Sequence, residues 1–262
     1  MLVIKAFYNE FKTKGLYGVK RLIIKKYFTH KPIQKFKMYK KHFENKNGIE
    51  IGGLSNIFCL EVPLYKVIKN LDGCNFSGNT VWEGTINEGI TYNFYESKTG
   101  YQYVCEASNL SEIPDEKYDF LISSHCLEHC ANALKTVEEW CRVVKKNGAI
   151  LLVLPDKRFT FDHKRPVTEF KHLLDDYKNN VNEHDLTHLN EILNLHDLDK
   201  DHSAGTIEQF KNRSLDNFNN RCLHQHIFDF DLLQQVFKFY NIETLDVTFA
   251  KPYHQIILGI KK

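Results

Sequence analysis

The stretch from Tyr118 to Pro155 constrains the fold more than any other part of this sequence. Residues 119–123 form a short apolar run, and residues 149–154 form a second one. Continuous apolar runs of this length are typical of strands buried on both faces of a parallel sheet. Between the two runs, apolar side chains recur at helical spacing: Ala133, Val137, Trp140, Cys141 and Val144. A helix that joins two buried strands makes a βαβ unit, so the sequence predicts a parallel sheet covered by helices.

These residues also carry a family resemblance. The segments YDFLISSHCLEH and RVVKKNGAILLVLP resemble the central block of class I S-adenosylmethionine-dependent methyltransferases of the type 11-like kind. In that family an aspartate opens the fourth strand, and Leu-Glu-His follows it. The resemblance extends more weakly over residues 49–262. It implies an α/β, Rossmann-like, seven-stranded and mostly parallel sheet, finished by an antiparallel pair at residues 244–249 and 254–260. Another doubly wound α/β protein is the alternative.

Composition is that of a globular domain. The 262 residues are 42% hydrophobic and 26% charged, which is ordinary. No apolar run approaches the roughly 18–20 residues that span a bilayer. The first residues, MLVIKAFYNEF, are interrupted by charges and have no small-residue cleavage site, so no secretory signal is expected. Seven cysteines complete no zinc pattern and favour reduced thiols, as in a cytoplasmic protein.

Positive charge is concentrated at the start of the chain. Residues 1–46 hold 13 Lys and Arg against two Glu, a net charge of +11, which leaves −9 for the remainder. A nucleic-acid-binding protein is therefore not indicated. The pattern predicts a basic helical extension over residues 1–46, followed by a methyltransferase domain over residues 47–262. Two roles for the extension stay open: packing on the domain, or peripheral contact with a membrane or another anionic partner.

The first strand and the loop after it are predicted to bind the cofactor. The segment IEIGGLS, residues 49–55, resembles the glycine loop of the family, although the usual second loop glycine is absent. Glycine lets the backbone approach a ligand closely. The resemblance implies that the acid at the end of the strand meets the methionine ammonium of the cofactor. It assigns Glu50, Gly52, Gly53 and Ser55 to this site.

Further segments complete the predicted cofactor site. Residues 67–72 are predicted as the second strand, and Asp72 at its end is expected to bind the ribose hydroxyls. Glu106 and Ala107 belong to a segment that resembles the adenine-binding region of the family. Ser124 and His125 follow the fourth strand. The implied cofactor is S-adenosyl-L-methionine, and no metal is predicted.

After Pro155 the chain departs from the family pattern. Residues 156–225 delay the last helix and strands, and we predict that they form an insert covering the substrate. Asp162 and His163 come just after the fifth strand, at the edge where open α/β sheets bind ligands. His163 is therefore predicted to be the general base, with Asp162 orienting it and His226 as second choice.

The insert is rich in histidine, and this leaves other roles open. Eight of the 13 histidines of the chain lie in it or at its edge: His163, His172, His184, His188, His196, His202, His224 and His226. His184, His188 and Glu191 share one face of a predicted helix, which suits a metal site. Such a site would make the enzyme a metal-assisted methyltransferase. Surface and capping roles are the remaining alternative.

The predicted reaction is methyl transfer to a small polar acceptor, such as the hydroxyl of a sugar or glycan. Acids, amides and aromatic residues of the insert suit a polyol. The segments FDHKRPVT and LHQHIFD are similar to predicted bacterial methyltransferases associated with surface-polysaccharide assembly. Two other classes stay open: a non-catalytic binding module that retains the fold, and an NAD-type enzyme, although GxGxxG is missing.

Overall fold

The structure is a computed structural model that describes residues 32–262. Its strands within that range are β1 (Asn47–Ile51), β2 (Asn70–Asn75), β3 (Asn79–Thr80), β4 (Gly84–Thr85), β5 (Gly89–Tyr95), β6 (Lys98–Val104), β7 (Tyr118–Ser124), β8 (Val144–Pro155), β9 (Ile242–Ala250) and β10 (His254–Lys261). Its α-helices are α1 (Phe36–Lys40), α2 (Ala133–Val143), α3 (Phe170–Lys178), α4 (Leu189–Leu195), α5 (Ile207–Leu215), α6 (Asn217–Asn220) and α7 (Phe230–Phe239). None of the helices in this range is long and apolar enough to cross a membrane.

Eight strands form one sheet, in the order β5-β6-β2-β1-β7-β8-β10-β9. The five strands from β6 to β8 are parallel neighbours, whereas β5, β10 and β9 pair antiparallel. The predicted α/β, mostly parallel sheet and its terminal antiparallel pair are confirmed. The predicted number of seven strands is wrong. The eighth strand, β5, pairs with β6 as a hairpin and buries Tyr92 and Phe94 on one face.

The βαβ unit predicted from residues 118–155 lies at the centre of the sheet as β7, α2 and β8. Helix α2 begins at Asn132, whose side chain accepts a hydrogen bond from the Lys135 backbone N–H at 3.0 Å and caps the helix. Trp140 on its inner face is fully buried and donates from its indole N–H to the Ala107 carbonyl at 3.1 Å. Burial of a side chain of this size contributes roughly 2–3 kcal/mol, which fixes α2 on the sheet.

The second strand begins and ends later than predicted. Strand β2 covers Asn70–Asn75, so Asp72 lies inside the strand and Asn75 at its end. The Asp72 carboxylate accepts hydrogen bonds from the Tyr118 hydroxyl at 2.7 Å and from the Tyr101 backbone N–H at 2.9 Å. These partners make an acid tolerable within a strand, a position where the residue type alone is unfavourable.

The end of the basic extension packs on the domain. Tyr39 and Phe43 are fully buried, and the Phe43 ring meets Phe120 of β7 edge-on at 5.1 Å. Asp246 on β9 accepts hydrogen bonds from the Tyr39 hydroxyl at 2.7 Å and from Lys35 Nζ at 2.5 Å. Residues 32–46 are therefore part of the folded domain. The predicted membrane or anionic contact concerns mainly residues 1–31, which lie outside the described residues.

The insert after β8 has its own small core and closes on itself. Helices α3 to α6 lie in it, and Ile192, Ala204, Phe210 and Leu223 form an apolar cluster apart from the sheet. Arg165, with a side chain only 1% exposed, donates hydrogen bonds to the carbonyls of His224 at 2.7 Å and Gln225 at 3.3 Å. These contacts hold Arg165, near the start of the insert, beside its last two residues. We call these contacts the clasp.

Candidate active site

One large cavity, of about 1270 Å³, opens at the carboxyl ends of the parallel strands. Residues that end or follow β1, β2, β6, β7 and β8 line it: Gly52, Phe76, Cys105, Ser124 and Pro155 among them. Ligands of open α/β sheets bind at this edge, because several strand ends and the loops after them converge there. The insert lines the same cavity with Phe161, Glu183, Arg221 and His224.

Gly52 shapes the part of the cavity that follows β1. Its φ is +75°, in the left-handed region that favours glycine. A Cβ on Gly52 would lie 2.9 Å from the Cβ of Cys126. The loop can pass this close to the end of β7 only because residue 52 has no side chain. Ser55, further along the loop, also lines the cavity.

Glu50 and Gly53 lie beneath this loop and do not line the cavity. Glu50 is fully buried, and its Oε2 accepts hydrogen bonds from the hydroxyls of Tyr65 and Tyr92, each at 2.6 Å. Its Oε1 accepts from the Ser55 backbone N–H at 3.0 Å. A Cβ on Gly53 would lie 2.2 Å from Glu50 Cδ. The structure therefore corrects the predicted cofactor contact: both residues support the loop from below.

Asp72 does not line the cavity either, because it lies inside β2 and not at the end of the strand that meets the cavity. The strand-end residue Asn75 lines the cavity instead, and its side-chain amide donates to the Gly53 carbonyl at 3.0 Å. Asn75 thus joins the end of β2 to the glycine loop. A strand-end acid for ribose binding is not found at Asn75 or in the next three residues, Phe76 to Gly78.

The other predicted cofactor residues do line the cavity. Glu106 and Ala107 follow β6, and Ser124 and His125 end β7. Glu106 accepts a short hydrogen bond from the guanidinium of Arg221, so the insert is tied to this part of the sheet edge. These residues follow or end β6 and β7, which have β2 and β1 between them in the sheet.

The predicted catalytic residues do not line the large cavity. His163 lies 2.7 Å from Asp197, Nε2 to Oδ2, within the insert. Asp162 is buried and accepts hydrogen bonds from His224 and Arg165. His226 is buried, its Nε2 bonds to the Ala131 carbonyl, and burial lowers its pKa to about 3. The proposal that His163 or His226 acts as base at this cavity is therefore corrected, because a short helical turn at Lys157–Phe159 redirects the chain after β8.

Four other histidines line the cavity: His125, His129, His224 and His254. His125 Nε2 and His254 Nδ1 lie 2.9 Å apart and share a hydrogen bond. Burial, together with the neighbouring His125, lowers the pKa of His254 to about 3. The ring of His254 is therefore neutral near pH 7.

Glu128 is the acid among these histidines. Its side chain is 2% exposed, and neither carboxylate oxygen has a hydrogen-bond partner among residues 32–262. The Nδ1 of His125 is 3.5 Å from Glu128 Oε1. Burial alone would raise the pKa of Glu128, but the neighbouring imidazoles outweigh it and hold the pKa below its usual range. The acid is thus a buried negative charge that faces imidazoles.

Glu128 and His129 were missed as site residues by the sequence reasoning, although the Leu-Glu-His of the resemblance contained both. The metal set predicted within the insert does not assemble: the His184 ring stacks on Phe218 at 3.9 Å, and Glu191 accepts from Arg165 at 2.8 Å.

Comparisons with known proteins bear on this geometry. Residues 68–152 match the family model described as a methyltransferase domain. The comparison with curated proteins gave no match. A crystal structure of an S-adenosylmethionine-dependent methyltransferase from Aquifex aeolicus is similar over 98% of each chain, at 10% identity and a TM-score of 0.50. A protein from Pyrococcus horikoshii is similar over 97% of this chain and 99% of its own, at 12% identity and a TM-score of 0.51. The fold is that of S-adenosylmethionine-dependent methyltransferases.

The matched domain and these neighbours are consistent with S-adenosyl-L-methionine as the cofactor of this methyltransferase fold. The residues present fit such a group at the loop of Gly52, because residue 52 lines the cavity without a side chain. Glu106, Ala107 and Ser124 lie at the ends of β6 and β7 on the same cavity. The volume of about 1270 Å³ exceeds what is usual for one small ligand, so a cofactor and an acceptor fit together.

Proposed function

We propose that this protein is an S-adenosylmethionine-dependent methyltransferase that acts on a small polar acceptor, with a sugar or glycan hydroxyl as the leading class. The observation that carries the proposal is the single cavity that joins the Gly52 loop to a wall of histidines. The bound cofactor supplies an electrophilic methyl group on a sulfonium. Gly52, Ser124 and Glu106 would hold it at the sheet edge.

In this reaction the protein would act mainly by positioning the two reactants and by excluding water. Methyl transfer is an in-line displacement, and holding the two reactants at near-attack distance accounts for much of its rate. The insert covers the sheet edge with Phe161 and Arg221, which limits access of water to the acceptor. A hydroxyl acceptor must also lose its proton, and the hydrogen-bonded pair of His125 and His254 lies on the cavity as the candidate acceptor of that proton.

The polar groups that the insert adds favour a hydroxylated acceptor. Glu183, Asp201 and Arg213 of the insert line the cavity, and they offer acceptors and donors for hydroxyl groups. Transfer of tritium from labelled S-adenosylmethionine into a panel of nucleotide sugars and glycans tests this class. Incorporation into amines or thiols only would refute the hydroxyl assignment and leave methyl transfer in place.

Gly52→Ala tests the cofactor position. The added Cβ would press on Cys126, so we expect the affinity for S-adenosylhomocysteine to fall by at least about 10-fold, that is by about 1.4 kcal/mol or more. Isothermal titration calorimetry measures it. Gly84→Ala is the matched control, because Gly84 has a similar φ of +70° but an added Cβ there meets nothing within 4 Å.

The comparison of the two variants separates loss of cofactor contact from backbone strain. Each left-handed alanine costs about 1–2 kcal/mol of stability. Equal affinities of the two variants for S-adenosylhomocysteine would place the cofactor elsewhere. A native protein that binds neither S-adenosylmethionine nor its product would favour the non-catalytic module.

A further inference from the structure

Glu128, His129 and His224 meet at one point of the cavity wall. Glu128 and His129 belong to the short 3₁₀ helix Leu127–His129 after β7, whereas His224 lies at the end of the insert. One nitrogen or oxygen atom of each side chain lies within 4.8 Å of the other two. Two imidazoles and a carboxylate at this spacing are a usual ligand set for a divalent transition metal.

Within residues 32–262 the carboxylate of Glu128 lacks a hydrogen-bond partner. Its side chain is 2% exposed, and the Nδ1 of His125 approaches it only to 3.5 Å. An ionised carboxylate in such a place costs several kcal/mol unless a cation compensates it. No Lys or Arg forms an ion pair with it within residues 32–262. The structure thus leaves a negative charge at this point that a bound cation would balance.

Each of the two histidines is held by its other ring nitrogen. His129 Nδ1 donates to the Leu223 carbonyl at 3.0 Å, and His224 Nδ1 donates to the Asp162 carboxylate at 2.5 Å. Both acceptors lack a proton to give, so both rings carry hydrogen on Nδ1, which leaves Nε2 as the position for a metal. Metal-binding histidines typically have this arrangement, with the distal N–H on a carbonyl or a carboxylate. Asp162 is fixed in turn by Arg165 at 3.2 Å.

A second histidine group, His172, His188 and His226, lacks these features. The Nε2 atoms of His172 and His188 lie 2.9 Å apart and occupy each other in a hydrogen bond. His226 directs its Nε2 to the Ala131 carbonyl. None of these three residues lines the large cavity. This group therefore offers a comparison set of histidines within the same insert.

We propose that Glu128, His129 and His224 bind a divalent transition-metal cation, of the Zn²⁺ or Mn²⁺ kind, that faces the methyl acceptor. This inference rests on the proposed function for its role, while the site itself rests on the three side chains. Three protein ligands leave open positions on the metal, as in catalytic sites, and the cavity gives access to them. Residues outside the insert supply two of the ligands, so the site differs from the set predicted from the sequence.

The metal would acidify the acceptor hydroxyl. Coordination lowers the pKa of a bound oxygen, which matters here because the neutral His254 is a weak base. The acceptor hydroxyl gives its proton to cavity water, and its oxygen forms the new bond to the methyl carbon. The sulfur–methyl bond breaks, and sulfur keeps the electron pair as a neutral thioether. No redox change is involved.

Metal binding is tested on the full chain after chelator treatment, by calorimetric titration with ZnCl₂ and MnCl₂ alone. We expect about one equivalent to bind, and Glu128→Gln and His224→Asn to weaken that binding by at least about 100-fold. His188→Gln, from the second histidine group, should leave it unchanged. Retention of full metal affinity in both Glu128→Gln and His224→Asn would overturn the proposal, as would loss of binding in His188→Gln only.

Thermal unfolding gives a second test, whose sign does not depend on activity. With 1 mM ZnCl₂ the native protein should gain stability by binding, and Glu128→Gln should not. A Glu128→Gln protein that gains as much stability from ZnCl₂ as the native protein would refute the site.

Titration with S-adenosylhomocysteine separates this proposal from the proposed function. A chain that binds the nucleoside product but no metal would retain the methyltransferase proposal and reject the metal. A chain that binds metal through Glu128 but no S-adenosylhomocysteine would retain the metal site and reject the methyl-transfer role.

Discussion

The hydrogen bond between Tyr92 and Glu50 should make a large and measurable contribution to stability. The Tyr92 hydroxyl donates to Glu50 Oε2 at 2.6 Å, and both side chains are buried. A hydrogen bond to a charged group contributes about 1.5–3 kcal/mol. Tyr92→Phe removes only the hydroxyl, so we expect the free energy of unfolding to fall by about 2 kcal/mol. For a chain of this size that corresponds to a Tm lower by roughly 4–8 °C.

The effect of Tyr92→Phe should grow with pH. Burial raises the pKa of Glu50, and the hydrogen bonds from Tyr65, Tyr92 and Ser55 oppose that rise. Removal of one donor raises the pKa of the folded state further. Glu50 then holds its proton more tightly in the folded protein than in the unfolded chain. The free energy of unfolding therefore falls as pH rises above the pKa that Glu50 has in the unfolded chain. The deficit of the variant should therefore be larger at pH 8 than at pH 5.

Urea denaturation followed by far-UV circular dichroism measures both effects. Tyr177→Phe is the matched control, since the Tyr177 hydroxyl donates to Glu138 at 2.8 Å in an exposed position. Exposed contacts of this kind are worth about 0–1 kcal/mol. A loss in Tyr92→Phe no greater than in Tyr177→Phe, or a deficit that shrinks with rising pH, would refute this account of the buried acid.

Two other buried groups give predictions of stability. Burial raises the pKa of Glu183 to about 7 from 4.5, so the free energy of unfolding of the native protein falls as pH rises through this range. Between pH 5 and pH 8 the free energy of unfolding of Glu183→Gln should therefore rise relative to that of the native protein by up to about 3 kcal/mol. Unfolding curves at the two pH values check the sign, and a constant difference would contradict it. Arg165→Ala should cost about 3–5 kcal/mol in urea unfolding, because it removes one of the two donors to the buried Asp162 and leaves two carbonyls without a donor. Arg158→Ala, with a side chain that is 69% exposed, should cost much less, and equal losses would argue against the clasp.

The sequence predicted the sheet where its local signals agree. Two apolar runs joined by an amphipathic helix can hardly pack otherwise, and β7, α2 and β8 lie as expected. The end of β2 was misplaced because Leu71-Asp72-Gly73 has the residue types of a turn. Its partners, Tyr101 and Tyr118, are about 30 and 46 residues away, and no local pattern shows that they would satisfy Asp72.

The site was predicted less well than the fold, for a physical reason. Strand ends are local features, so Gly52, Glu106 and Ser124 were found on the cavity. The position of His224 on the cavity depends on how a long insert folds back. This fold brings His224 close to Glu128 and His129, which lie more than 90 positions earlier in the chain. His163 follows a strand end in sequence, yet its ring turns to Asp197 instead.

The clasp has a consequence for how such a protein can diversify. Arg165 and the Thr168–Ile227 backbone hydrogen bond join the two ends of the insert. The sheet is therefore connected to the insert through two chain segments that are held next to each other. The entropy of closing a loop rises slowly, by about 0.6 kcal/mol for each doubling of length. Residues between the two ends can therefore be lengthened, shortened or replaced while the strand ends stay in place. Acceptor preference can change by exchange of this one segment, with the methyl-donor side of the cavity left as it is.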